Sequence, residues 1–287
     1  MTTERKCPIS GEPMQPVFSE TVLEKYLVTY YYCEQSGILT TETPYWLDES
    51  YQSAIADTDT GILMRNIAST RFLERILYHL FKDSGKFLDV SGGYGVLTRL
   101  LRDIGFDCYT TDKYCQNIFA KAFEPPDEFK ADALFAFEVL EHLENPLEFL
   151  EDIFQKYNCK TFIFSTLTFS SIPSKDWHYY SFETGQHITF YQPRTLDLLA
   201  KKLGCYYYKI GADIHIISEH NLSKVSKFLL FDKYARKAYS LYVRWKRKGM
   251  NKNWGDYLLL KNQLKSKLIG ERERDGSGIA VKSNHKV

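Results

Sequence analysis

The stretch Lys86-Phe87-Leu88-Asp89-Val90-Ser91-Gly92-Gly93-Tyr94-Gly95 ends a short apolar run in an acid and then breaks into glycines. Phe87, Leu88 and Val90 suit a buried strand, and Val96, Leu97, Leu100, Leu101 and Ile104 follow at helical spacing as far as Gly105. The reading is strand, glycine turn, helix. Glycine takes positive φ cheaply and has no side chain to hold a ligand off the backbone, so a ligand can lie against such a turn. Phe106 to Thr111 reads as a second strand with Asp112 at its end, where a carboxylate can accept bonds from a ribose diol. In open α/β sheets, ligands sit beyond the carboxyl ends of the strands, so Gly93 and Asp112 are expected to converge on one nucleoside. A dinucleotide is disfavoured, because its fingerprint wants a third glycine or alanine where this chain has Thr98.

Downstream, Cys115 to Phe123 reads as a helix that stops before Pro125-Pro126, and Ala131 to Phe137 as a buried strand. That strand runs into Glu138-Val139-Leu140-Glu141-His142, where Glu141 and His142 are expected to open a helix continuing through Phe149, Ile153 and Phe154. The order is not H-E-x-x-H and no third ligand is evident, so no metal site is expected. Lys160 to Thr166 gives the next strand. After it the pattern breaks for longer than an ordinary connection, and long loops at the carboxyl edge carry function. Residues 167–192 are therefore expected to form a substrate lid, with Trp177, His178, Tyr179, Tyr180, Gln186 and His187 as its chemistry-bearing side chains. Gln192 opens a helix to Leu203, and residues 203–211 and 212–218 read as a closing pair of strands in which His215 fills a face.

The arrangement Asp89, Ser91, Gly93, Gly95 resembles the first motif of class I methyltransferases, with Ser91 where that family usually has its first glycine. The E-V-L-E-H segment is a second match, and W-x-Y-Y followed by G-Q-H-I-x-F-Y resembles a bacterial subfamily often encoded with glycan-modifying enzymes. The resemblance implies a Rossmann-like α/β sheet with helices on both faces and S-adenosylmethionine as cofactor. Asp89 would orient the methionine amino group, Ser91, Gly93 and Gly95 would pass under the cofactor, Asp112 would hold the ribose, and Glu138 would lie close by. Trp177, Tyr179 and Gln186 are then expected to meet a small-molecule or glycan acceptor. His187 is the expected base for O-methylation, with Tyr180 and His178 as second choices. Deoxysugar C-methyltransferases are distantly similar but carry an acid where this chain has Gln186, and a neutral amide takes no proton. Sugar C- or N-methylation stays an alternative, as does an inactive methyltransferase-like scaffold.

Ahead of this domain, Cys7-Pro8-Ile9-Ser10-Gly11 and Cys33-Glu34-Gln35-Ser36-Gly37 are two C-x-x-S-G copies, each like a zinc-ribbon knuckle with serine for its second cysteine. They are expected to keep their turns without a metal, around a hairpin that includes Tyr26 to Tyr32. Helices are expected over 46–56 and 66–81. The divisions are then residues 1–60 for the degenerate ribbon and cap, 61–218 for the sheet domain, 219–270 for a helical arm and 271–287 for a disordered tail.

The formal charge of +1 hides an asymmetry. Residues 219–287 hold 17 Lys and Arg against 6 Asp and Glu, leaving 20 basic against 30 acidic elsewhere. A single helical stripe of Val225, Phe228, Leu229, Ala235, Ala238, Tyr239, Tyr242 and Trp245 is expected over 221–248, either covering the domain or lying on an anionic membrane. Nucleic acid is not an expected partner. No signal-like start or membrane-length apolar run stands out, and the six cysteines form no framework, so the expected location is the cytoplasm, free or at the inner face of the membrane.

Overall fold

β1 (Gln15–Val22) and β2 (Tyr26–Tyr32) form an antiparallel hairpin, which β3 (Leu39–Thr41) extends. The computed structural model describes residues 5–51 and 59–274. The expected knuckles converge at the base of this hairpin: Cys7 Sγ lies 3.2 Å from Ser36 Oγ, and Ser10 Oγ 3.6 Å from Cys33 Sγ. Two thiols and two hydroxyls thus close the corner by hydrogen bonding. The helix expected over 46–56 is a single turn, α1 (Leu47–Ser50), in its described part; residues 52–58 lie outside the described ones.

α2 (Ile62–Phe81) leads into the central sheet, with Leu73, Ile76 and Leu77 fully buried. β4 (Lys86–Val90), α3 (Val96–Asp103) and β5 (Asp107–Thr111) follow as the sequence pattern indicates, then β6 (Ala133–Ala136), α4 (Pro146–Tyr157) and β7 (Thr161–Ser165). β8 (Thr189–Phe190), α5 (Pro193–Lys202), β9 (Tyr206–Ile210) and β10 (Ile214–Ser218) complete the domain. The sheet order is β5-β4-β6-β7-β10-β9, parallel as far as β7 and antiparallel in the last two pairings. A parallel sheet is covered on both faces, and alternation sorts the side chains accordingly. Leu88, Leu134 and Phe162 face the core shared with α4 and α5, while Phe87, Phe135 and Ile163 face the core shared with α2 and α3. The mixed α/β class and the two-sided sheet are those the sequence indicates.

Three local expectations fail, each for a readable reason. Residues 115–123 form turns, because the backbone donors of Tyr114 and Cys115 go to Asp112 Oδ1 at 2.7 Å and those of Ile118 and Phe119 go to the Tyr94 carbonyl at 3.0 Å. Glu141 and His142 sit in a separate 3-10 turn, Leu140–His142, and α4 starts only at Pro146, whose fixed φ suits a first helical position. The arm is not one helix. Asp232 Oδ1 accepts from Tyr234 and Ala235 N, ending α6 (Lys224–Phe231) and starting α7 (Ala235–Lys246).

That break resets the helical phase. Leu230, Val243, Arg247 and Asp256 are the buried residues among those described in the arm, whereas Val225, Phe228, Tyr242 and Trp245 of the expected stripe are exposed. α8 (Asn253–Arg274) runs past the expected end of the arm, and residues 275–287 lie outside the described ones.

The arm is held by arginines. Arg247 pairs with Asp83, donates to the Ile104 carbonyl at 2.7 Å and stacks on Phe106 at 3.8 Å. Arg102 of α3 bonds Asp256 of α8 through Nε and Nη2 at 2.9 and 2.6 Å and Asp107 at 2.9 Å, with its guanidinium 3.6 Å from the Phe123 ring. Removing one member of a buried ion pair leaves the other uncompensated, a loss of about 3–5 kcal/mol. Arg102→Ala is therefore expected to destabilise the chain by about 3 kcal/mol or more in urea unfolding. Lys201→Ala, whose partner Asp197 is exposed, is expected to change stability by under about 1 kcal/mol.

Candidate functional site

The carboxyl ends of β4, β5, β6 and β7 converge, and the glycine turn after β4 forms their floor. Ser91 (φ 58°), Gly93 (φ 58°) and Gly95 (φ 83°) are all left-handed. A Cβ on Gly95 would meet Asn117 Oδ1 at 2.3 Å, and one on Gly92 would meet Thr110 Oγ1 at 2.4 Å and Asp89 Oδ2 at 2.5 Å. Gly92, which the motif leaves unassigned, is thus required by close approach. Nothing lies within 4 Å of a Cβ built on Gly93, so that face of the turn is open.

Asp89 lies beneath this turn, 2% exposed, and its Oδ2 has no hydrogen-bond partner among the described residues. Burial, with the charge of Asp112 added, raises its carboxyl to about 8. Asp112 accepts from Gly93 N at 2.9 Å through Oδ2 and from Tyr114 and Cys115 N at 2.7 Å through Oδ1. A carboxylate has about four lone-pair positions, so one acceptor position remains on Oδ2. A cleft of about 170 Å³ opens beside Ser91, Asp112, Ile153 and Tyr157. That holds part of a nucleoside-sized ligand, since whole small-molecule pockets run to roughly 300–1,000 Å³.

Glu138 follows β6 in a left-handed conformation (φ 54°), donates its N–H to Ser165 Oγ at 2.8 Å and accepts that hydroxyl on its own carboxylate. Three residues on, Glu141 is fully buried with neither carboxylate oxygen hydrogen-bonded among the described residues. Burial, then the charge of Glu138, raises it to about 8. The hydroxyls of Tyr179 and Thr166 lean toward it but bond each other, at 3.2 Å.

The lid supplies the remaining groups. His187 Nδ1 donates to the Tyr179 carbonyl at 2.7 Å, and His142 Nδ1 donates to the Gln186 carbonyl at 3.0 Å. The two rings meet edge to face with centroids 4.9 Å apart. Burial lowers both, His142 to about 3 with His187 adding to the effect, so both are neutral near pH 7. One ligand-capable atom each of Glu141, His142 and His187 lie within 4.8 Å of one another. His187 is thus a third ligand-capable residue beside Glu141 and His142, where the sequence shows none, and the lid brings it from a position no local spacing reveals.

The other lid residues are placed differently. Tyr180 is buried among Phe18, Tyr30, Phe182 and Phe190, with its hydroxyl on the Pro173 carbonyl, and Trp177 packs on Tyr179 and Phe190. Gln186 Nε2 donates to the Ser50 carbonyl at 2.8 Å, which ties the lid to α1. His178 is exposed, and His215 is buried between Tyr207 and the Thr166 carbonyl. Tyr51 joins the two halves of the site, stacked on Tyr114 at 5.5 Å and edge-on to His142 at 6.2 Å.

A profile described as a methyltransferase domain matches residues 64–210, just over half of the chain. The chain belongs to the methyltransferase-domain family. No curated protein matches this methyltransferase-domain chain. Among solved structures it is similar to CalO1, a methyltransferase in calicheamicin biosynthesis in its SAH-bound form, with 13% identity and a TM-score of 0.42 over 56% of each chain. The plantazolicin methyltransferase BpumL, in complex with a monoazolic desmethylPZN analog and SAH, gives 16% and 0.41 over 69% of this chain and 87% of that one. Magnesium protoporphyrin IX methyltransferase (ChlM) from Synechocystis PCC 6803 with bound SAH gives 13% and 0.42 over 60% and 92%. The chain thus spans little more than half the length of CalO1.

Class I methyltransferase domains take their methyl group from S-adenosylmethionine, and this chain's residues fit that cofactor in two respects. The open face of Gly93 leaves room against the backbone, and the unpartnered Asp89 carboxyl suits a cationic amino group. A carboxyl raised to about 8 from 3.8 stabilises the fold fully below about pH 4 and loses that contribution as pH rises through 8. The ligand-free protein is thus expected to lose thermal stability from pH 5 to pH 8. Asp89→Asn should remove part of that loss, and identical pH profiles for the two proteins would show Asp89 to be ionised throughout.

Proposed function

We propose that this chain is an S-adenosylmethionine-dependent methyltransferase acting on a hydroxyl oxygen of a small-molecule or glycan acceptor. The observation that carries the reading is His187, whose Nδ1–H is fixed on the Tyr179 carbonyl, which leaves the lone pair of Nε2 free at the carboxyl edge of the sheet. A hydroxyl acceptor must shed a proton, and a neutral imidazole at that edge can take it. The cofactor supplies an electrophilic methyl: the acceptor oxygen's lone pair forms the O–C bond as the S–C bond breaks, and the hydroxyl proton leaves to Nε2. Gly93 and Asp112 hold the nucleoside side, Tyr51 and Tyr114 wall the passage between the two halves, and the buried lid aromatics keep water out. An amide at Gln186, engaged with Ser50, offers no base for carbon methylation.

Calorimetric titration with S-adenosylmethionine and S-adenosylhomocysteine tests the cofactor, and label transfer to phenolic and glycan hydroxyls tests the acceptor. Binding is expected in the wild type and not in Asp112→Ala, and its absence from folded wild type would sink the proposal. His187→Ala is expected to slow methyl transfer by roughly 10²- to 10⁴-fold with cofactor affinity unchanged.

We infer further that the arm rests on an anionic membrane surface. Val225, Phe228, Leu241 and Trp245 are exposed on helices that also carry Lys224, Arg236, Lys237 and Arg244. Arg75, Arg236, Lys237 and Arg244 line a cleft of about 370 Å³, and among the described residues no carboxylate pairs with Arg75. No helix of the described residues is long and apolar enough to cross a membrane, so contact would be peripheral. Cosedimentation with phosphatidylglycerol vesicles is expected, weakened by salt and by Arg236→Glu with Arg244→Glu. Equal binding to phosphatidylcholine vesicles, or none to either, overturns the inference.

A further inference from the structure

The cluster of Glu141, His142 and His187 has more built into it than a base needs. Glu141 is fully buried and neither of its oxygens finds a partner among the described residues. An ionised carboxyl without water or a partner is strongly destabilising, and a nearby cation removes the penalty. Arg65, whose charge reaches Glu138 and Glu141, bonds Asp59 at 2.7 Å instead.

The histidines are oriented alike. Each donates Nδ1–H to a backbone carbonyl, Gln186 for His142 and Tyr179 for His187. A carbonyl oxygen only accepts, so each Nδ1 carries the proton and each Nε2 keeps its lone pair, with the Glu138 carbonyl also lying against the His142 ring. Metal-binding histidines are held in the same way by an outer partner on the second ring nitrogen.

We propose that Glu141, His142 and His187 bind one first-row divalent transition-metal ion, leaving open positions for a hydroxyl-bearing ligand. Two imidazoles and one carboxylate favour Mn²⁺, Fe²⁺, Co²⁺ or Zn²⁺ over Mg²⁺ or Ca²⁺, which prefer all-oxygen sets. The ligand atoms lie within 4.8 Å of one another, so small side-chain rotations, about 1–2 Å at the ligand atoms, bring them to bonds of roughly 2.0–2.2 Å. His142 and His187 are half-buried, so the site can be reached from solvent.

Ion binding stands on these residues alone. Its role rests on the O-methylation reading: with the ion bound, an acceptor hydroxyl in an open position would ionise more readily and shed its proton to water while His187 serves as a ligand, and without the ion His187 Nε2 takes that proton.

The test uses the full chain, stripped with EDTA and titrated with Co²⁺ and Mn²⁺, followed by calorimetry and the visible absorption of Co²⁺. One ion per chain is expected, with nitrogen–oxygen absorption bands and no thiolate charge transfer. Glu141→Gln is expected to weaken binding by roughly 100-fold or more, beyond what loss of an outer partner gives. Should that variant fail to fold by circular dichroism, His187→Gln carries the same expectation from a half-buried position. Cys33→Ser should bind normally, and loss of the ion in that variant would move the site to the N-terminal cysteines and overturn the proposal. Binding of S-adenosylhomocysteine is measured in parallel. Nucleoside binding without ion binding overturns the metal site alone, and ion binding without nucleoside binding overturns the methyltransferase reading alone.

Discussion

Four hydrogen bonds zip the end of the lid onto the turn after β6, and the site exists because of them. Ile188 N donates to the Glu141 carbonyl at 2.8 Å, His142 Nδ1 to the Gln186 carbonyl at 3.0 Å, Thr189 Oγ1 to the Leu143 carbonyl at 2.6 Å, and the Tyr191 hydroxyl to the Leu140 carbonyl at 2.6 Å. β8 then pairs with β3, so the lid is the fourth strand of the N-terminal sheet. Trp46 Nε1 adds a bond to the Gly185 carbonyl at 2.8 Å. The N-terminal region is thereby the scaffold that fixes where His187 stands, and its corner of two cysteines and two serines is part of that scaffold.

The two central strands that reach the site each deliver a buried acid without a partner, Asp89 from β4 and Glu141 just beyond β6. Each is preceded or followed by a non-glycine residue in left-handed backbone, Glu138 and Ser91, an arrangement that costs about 1–3 kcal/mol per residue and persists where the surrounding structure over-determines it. Both acids are pushed up to about 8 by burial. The site is electrostatically unfinished in the direction of cations. A sulfonium cofactor with a protonated amino group suits the first acid, and a metal ion suits the second.

The fold was legible where one face or both faces of an element repeat. Strands β4 to β7 and helix α3 read directly because Phe87, Leu88, Phe135 and Phe162 leave no polar alternative. The glycine turn of the candidate site was legible because glycines at fixed spacing after a strand have few other uses. The second half was not. Its histidines are oriented by backbone carbonyls, which every residue carries, and are brought together by a lid whose path no periodicity marks. Residues 115–123 misled for the opposite reason: their propensity is helical, but Asp112 and the Tyr94 carbonyl took the backbone donors first.

The arm reverses the usual division of labour. Its attachment is polar, through Arg102 with Asp256 and Arg247 with Asp83, while much of its apolar surface faces out. Trp245 and Trp254 are 72% and 68% exposed. Had the apolar stripe been needed for folding, Asp232 would be a poor residue at its centre, since the helix breaks there between α6 and α7, and Phe228 and Trp245 on either side of the break are exposed. Apolar surface that folding leaves uncovered beside a surplus of lysine and arginine is surface kept for something else, and large exposed patches of this kind mark protein or membrane contacts. The proposed anionic membrane surface would satisfy both halves of that surface at once, the aromatic rings at its polar–apolar boundary and the guanidinium groups on its phosphates.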